Sequence, residues 1–231
     1  MTDYFALDGA RIVDTIRTLE RRIVERFPES GLGKVAAGLR HAAESARARA
    51  DQLQRPHVPL RIGIAALGVL FVAGVVVLFA SARVSTQVTT LTELVQTLES
   101  GVNDLVFVAV AIWFLSTVEG RRKRRLALQA VHELRSVAHV VDMHQLTKDP
   151  DQITRPAPPT ASSPARTMSP AELERYLDYC SELLSLTGKV AALYVQRFHD
   201  PVVLEAVNDV EILTTGLSRK VWQKISILER H

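Results

Sequence analysis

Hydrophobic residues fall into two patterns along this chain: two continuous apolar blocks near the middle, and seams with four-three spacing almost everywhere else. The first block, Ile62 to Ser81, reads IGIAALGVLFVAGVVVLFAS, twenty residues without a charge. A helix rising about 1.5 Å per residue crosses a hydrocarbon core of roughly 30 Å in that length. Buried helices of soluble proteins are rarely apolar on every side for so long. The second block, Leu105 to Val118 (LVFVAVAIWFLSTV), is shorter, and its flanks decide how it reads. Asp104 precedes it, Glu119-Gly-Arg-Arg-Lys-Arg-Arg125 follows it, and counted from Val102 it reaches the lower end of the transmembrane range. The pattern predicts a two-helix transmembrane hairpin within 59–120, with spans of about 62–82 and 102–119 and an external segment over 83–101.

Lys and Arg are distributed asymmetrically around these spans. Arg47, Arg49, Arg55 and Arg61 precede the first, Arg121, Arg122, Lys123, Arg124 and Arg125 follow the second, and the connecting segment holds only Arg83 beside Glu93 and Glu99. The positive-inside rule then puts both termini in the cytoplasm. The opening Met-Thr-Asp-Tyr lacks the form of a secretory signal, so the first span is expected to act as an uncleaved anchor. Arg55, Arg61 and the run Arg121–Arg125 are the expected contacts to lipid headgroups.

The remainder reads as helix. In the N-terminal region, 1–58, Ile12, Ile16, Leu19 and Ile23 share one face, and Pro28-Glu-Ser-Gly31 breaks the run. The Gly31-Leu-Gly33 pair reads as part of that turn. Leu32, Ala36, Leu39, Ala43, Ala46, Ala50 and Leu53 then repeat as a heptad seam whose alanines favour close helix approach. Pro56 and Pro59 end it. Val84, Val88, Leu91, Leu94, Val95 and Leu98 lie on one face of the external segment, predicting a helical extension of the hairpin or a surface-lying helix. In the membrane-proximal helix, 121–148, Ala127, Val131, Leu134, Ala138 and Val141 continue the spacing, and Gly120 is the candidate hinge. A Pro/Ser/Thr-rich linker occupies 149–168.

In the C-terminal region, 169–231, Ser169-Pro-Ala-Glu172 has the form of a capping box with proline at the first helical position. Leu173, Leu177, Cys180, Leu184, Thr187, Ala191, Tyr194 and Phe198 form the seam that follows. Asp200-Pro201 restarts a helix carrying Val203, Val207, Val210, Thr214, Leu217, Val221, Ile225 and Leu228. The fold class is all-α: a transmembrane hairpin joined to a cytoplasmic helical bundle with a coiled-coil-like C-terminal hairpin.

Chemistry enters only as candidates. The net charge of +3 resides largely in the membrane-flanking clusters and does not point to nucleic acid. The one cysteine, Cys180, excludes an internal disulfide. His132, His139 and His144 cluster on one helix, but metal ligands on a helix usually sit three or four apart, and no Glu-x-x-His pair is present. No metal or other cofactor is expected. Asp178, Glu182, Glu205, Asn208, Asp209 and Glu211 line either a cleft or the wet side of two amphipathic helices. No Walker-type loop, nucleophile elbow, kinase or Rossmann fingerprint occurs. Glu99, Asn103 and Asp104 mark a candidate pore mouth. Ala66, Ala73, Gly74 and Ala80 form a small-residue stripe suited to close packing in lipid.

The leading expectation is a non-enzymatic, self-associating scaffold, sensor or interaction module in a bacterial inner membrane, with membrane lipid and a cytoplasmic protein as partners. An oligomeric pore or ion-transport protein is the alternative. A metal-dependent or hydrolytic helical domain is the third.

Overall fold

The computed structural model describes residues 6–54, 58–84, 91–150, 158, 161–162 and 168–230. These residues form six helices and no strand: α1 (Gly9–Arg26), α2 (Gly31–Gln54), α3 (Val58–Val84), α4 (Leu91–Leu146), α5 (Pro170–Arg197) and α6 (Pro201–Leu228). The chain divides into two compact units, one combining Met1–Gln54 with Arg124–His231, the other comprising Arg55–Lys123.

In the first unit, caps start the helices where local chemistry favours them. The Asp8 carboxylate accepts the N–H groups of Ala10 and Arg11 at 2.8 and 3.4 Å and so opens α1. Ser169 and Glu172 form the reciprocal capping box of α5, and the Asp200 carboxylate accepts from Val202 and Val203 at the start of α6. Between α1 and α2 the N–H of Ser30 donates to the Phe27 carbonyl, and α2 already includes Gly31 and Gly33. The break is thus confined to Phe27–Ser30, and the two glycines belong to the first helical turn. Close approach explains them. A Cβ on Gly31 would collide with the His144 ring, and one on Gly33 would stand 3.2 Å from Val24 Cγ2.

The predicted seams meet in a single core. Ile16, Leu19 and Ile23 of α1 are buried with Leu32, Ala36, Leu39, Ala43 and Ala46 of α2. Ala127, Val131, Leu134, Ala138 and Val141 of α4 join them, as do Leu177, Leu184 and Ala191 of α5 and Val203 through Ile225 of α6. Helix α5 packs on α1, α2 and α6, and α1 packs on α2. Gly188 lets α6 come near, with Thr214 Oγ1 3.2 Å from where a Cβ would stand. Buried Thr187 meets its hydrogen-bonding need within its own helix, donating to the Leu183 carbonyl at 2.8 Å. Five seams read separately along the chain therefore satisfy one another within it.

The second unit contains α3 and the first part of α4. Among the described residues one helix segment is long and apolar enough to cross a membrane, within Gly101–Leu146, and Ile62–Val77 is a shorter apolar stretch of α3. Helix α4 includes both Leu91–Gly101 and Gly120. Residues 85–90 of the external segment, and most of the 149–168 linker, lie outside the described residues.

Two substitutions test the shared core. Leu184→Ala should lower unfolding free energy by roughly 2–5 kcal/mol through a cavity. Ala43→Leu should cost about 1–3 kcal/mol by overfilling a site with no exposure. Denaturant unfolding followed by circular dichroism reads both, and an unchanged midpoint for Ala43→Leu would contradict close packing at that alanine.

Candidate functional site

The run Arg121–Arg125 begins three residues after the apolar block ends at Val118, and its members do different things. Arg121 donates from Nη2 to Thr117 Oγ1 at 2.6 Å, and its guanidinium lies 5.2 Å from the Phe114 ring centroid. Arg122 and Arg125 are exposed. Lys123 pairs with Glu119 at 2.8 Å, one helical turn back, where both side chains are largely buried. Arg124 donates from Nε and Nη2 to Asp200 Oδ2, each at 2.8 Å. Sequence alone offered five equivalent headgroup contacts. Lys123 and Arg124 have partners inside the chain. Arg55 lies outside the described residues, as does the side chain of Arg61.

Asp200 does two jobs with two oxygens. Oδ1 caps α6, and Oδ2 holds Arg124 of α4. Partial burial opposes its charge, but bonds from Arg124 and from the Val203 and Val202 amides hold its carboxyl below the usual carboxylate range. The Asp-Pro signal announced the cap. Nothing local announced Arg124.

The histidines separate. His132 and His139 are exposed on α4, whereas His144 turns inward against Gly31, and desolvation, assisted by Lys148, lowers its pKa. Among the described residues no group of three or more His, Cys, Asp or Glu side chains is placed to hold a metal ion. His144 instead borders a cavity of about 430 Å³ between the α1–α2 turn and the end of α4, beside Arg26, Lys148 and Tyr176. Lys148 stands 5.3 Å from the Tyr176 ring centroid. Lys224 of α6 donates to the carbonyls of Gln145 and Lys148 at 2.7 and 3.1 Å, closing the C-terminal end of α4.

The hairpin acids line no common cleft. Asp178 pairs with Arg175 at 3.2 Å and Glu182 with Arg22 of α1 at 3.0 Å, while Glu205, Asn208, Asp209 and Glu211 are exposed on α6. Glu99, Asn103 and Asp104 are exposed within α4, downstream of its start at Leu91. They neither begin that helix nor converge with another described polar group. Ala66, Ala73 and Gly74 are exposed on α3, and a Cβ on Gly74 would meet nothing within 4 Å. The side chain of Ala80 lies outside those described. Burial pushes the Cys180 thiol up to about 12, which leaves it un-ionised and unreactive.

The Arg124–Asp200 pair gives a signed pH prediction. A carboxyl whose folded pKa is depressed contributes stability above its unfolded pKa and loses it as pH falls through the folded value. Asp200→Asn should therefore melt lower than the native chain at neutral pH, and the two melting curves should converge in acid. A gap that persists undiminished at acid pH would assign the loss to something other than this ion pair. No protein family, curated protein or solved structure matches this chain.

Proposed function

We propose that this chain is a non-enzymatic integral membrane protein that holds a helical interaction module at the cytoplasmic face of a bilayer. The observation that carries the reading is the state of the apolar part of α4. None of its most hydrophobic window is buried, and Phe107, Trp113 and Phe114 are 70%, 64% and 53% exposed. A core helix of a soluble protein would bury that surface, and an apolar surface this continuous requires an apolar medium or partner. Val69, Leu70, Val76 and Val77 of α3 are exposed in the same way. The apolar sequence of α3 continues to Ser81, which supports insertion of α3 and α4 as a hairpin. The excess of Lys and Arg on both outer flanks supports termini on the cytoplasmic side.

Self-association, in this reading, belongs to the apolar unit. The seams of the bundle are consumed within the chain, whereas Ala66, Ala73 and Gly74 remain open for close helix approach in lipid. Polar candidates dispersed over separate helix faces fit an anchoring or binding role better than catalysis.

Val110→Arg is the direct test of insertion. A cation at the centre of a span costs about 2.5–3.5 kcal/mol on insertion scales, so the variant should shift from the carbonate-resistant membrane fraction toward the soluble one. Native protein released fully by carbonate would overturn the reading. Because Cys180 is inert, Glu99→Cys and Ser185→Cys report topology without removing it. An impermeant maleimide applied to intact cells should label the first and not the second, and the reverse would invert the orientation. Gly74→Leu should reduce the oligomer seen in mild detergent, and an unchanged size would remove the α3 stripe from the assembly.

A further inference from the structure

Phe107, Val110, Phe114, Thr117 and Arg121 recur at three- and four-residue intervals and so lie along one side of α4. The stripe changes character at its end. Phe107, Val110 and Phe114 are exposed apolar side chains, Thr117 is half-buried, and Arg121 is exposed. Thr117 Oγ1 donates to the Phe114 carbonyl at 2.8 Å and accepts from Arg121 Nη2, so the guanidinium is drawn back along the helix onto the Phe114 ring. It is held where the apolar stripe stops. One N–H serves Thr117, and a guanidinium has five, leaving a planar edge able to grip a phosphate through two parallel bonds.

Charge on this part of α4 is sorted. Between Leu105 and His132 the only carboxylate is Glu119, and it is engaged by Lys123. The neighbouring Arg122 is exposed and makes no ion pair with a described residue. Two guanidiniums without a carboxylate of their own thus adjoin an exposed aromatic and aliphatic stripe. Apolar tail surface beside concentrated positive charge complements one chemistry, a phosphate esterified to acyl chains.

We propose that Arg121 and Arg122, with Phe107, Val110 and Phe114, form a binding site for an anionic phospholipid. The phosphate meets the two guanidiniums and an acyl chain lies along the stripe. Lys123 takes no part because its charge is matched by Glu119. This inference rests on the membrane reading above and narrows it from general attraction to the leaflet to one site with two named cations.

The test uses the full chain in nanodiscs of equal phosphatidylglycerol and phosphatidylcholine, with bound lipids counted by native mass spectrometry after gentle release. Phosphatidylglycerol should be retained over phosphatidylcholine, and the preference should fall by about five-fold for each arginine removed in Arg121→Gln and Arg122→Gln. Removing the matched pair together, in Glu119→Gln with Lys123→Gln, should leave it unchanged. Circular dichroism of the variants separates loss of the site from loss of the fold. Equal retention by the Arg121→Gln/Arg122→Gln variant, or an equal loss when Glu119 and Lys123 are both changed to Gln, overturns the assignment. A chain that inserts normally but shows no lipid preference sinks this proposal alone, while a chain that never enters the nanodisc sinks the membrane reading with it.

Discussion

One helix has to satisfy two surroundings, and the arrangement depends on how α4 does so. Over Val106 to Phe114 it carries large apolar side chains that remain exposed, and farther on Ala127, Ala130, Val131, Leu134, Ala138 and Val141 are buried. Between them lie Glu119 and five basic residues. Charges are expensive in hydrocarbon and inexpensive at an interface, so under the proposed membrane reading this run is the part of α4 that meets the interface. Ala127, Ala130 and Ala138 lie among the buried residues of α4. The small side chains let α4 enter a bundle already filled by Leu177, Leu184 and Tyr194 of α5.

The bundle's polar contacts reinforce an assembly whose main stabilisation is burial. Arg40 of α2 bonds Glu20 of α1 at 2.7 Å, and Arg22 joins α1 to α5 through Glu182. The first is half-buried and the second exposed, and pairs this accessible to water contribute little individually, although they disfavour misaligned helix pairings. Two contacts stand apart because they meet helix ends. Asp200 links Arg124 to the start of α6, and Lys224 bonds two carbonyls at the end of α4. A carboxylate at the positive end of a helix and an ammonium at the negative end are both favoured by the backbone dipoles. The two contacts hold α6 against the buried part of α4 at well-separated points.

Much of the bundle is legible in the sequence. The α6 seam is buried from Val203 to Ile225 and partly buried at Leu228, its last expected member, and Ser169 and Asp200 cap the helices they were expected to begin. The Gly31–Gly33 pair misled, because glycine signals a turn and a close helix approach equally well, and only the position of His144 tells them apart. The five basic residues misled differently. Their charges are alike in sequence, but Glu119 lies one turn from Lys123, and Asp200 reaches Arg124 from across the fold.

Sequence by itself determined the bundle helices, the caps at Ser169 and Asp200, most of the buried faces and the two apolar blocks, since each follows from contacts within a few residues along the chain. Periodicity shows which side of a helix avoids water, and it does not show what covers that side. Tertiary structure alone decided that the N-terminal seams close on the C-terminal ones, which removes the bundle from the argument for self-association. It also decided that Arg124 binds Asp200. Those outcomes depend on which distant surfaces fit together, a property of packed volume and paired charge that no local pattern encodes.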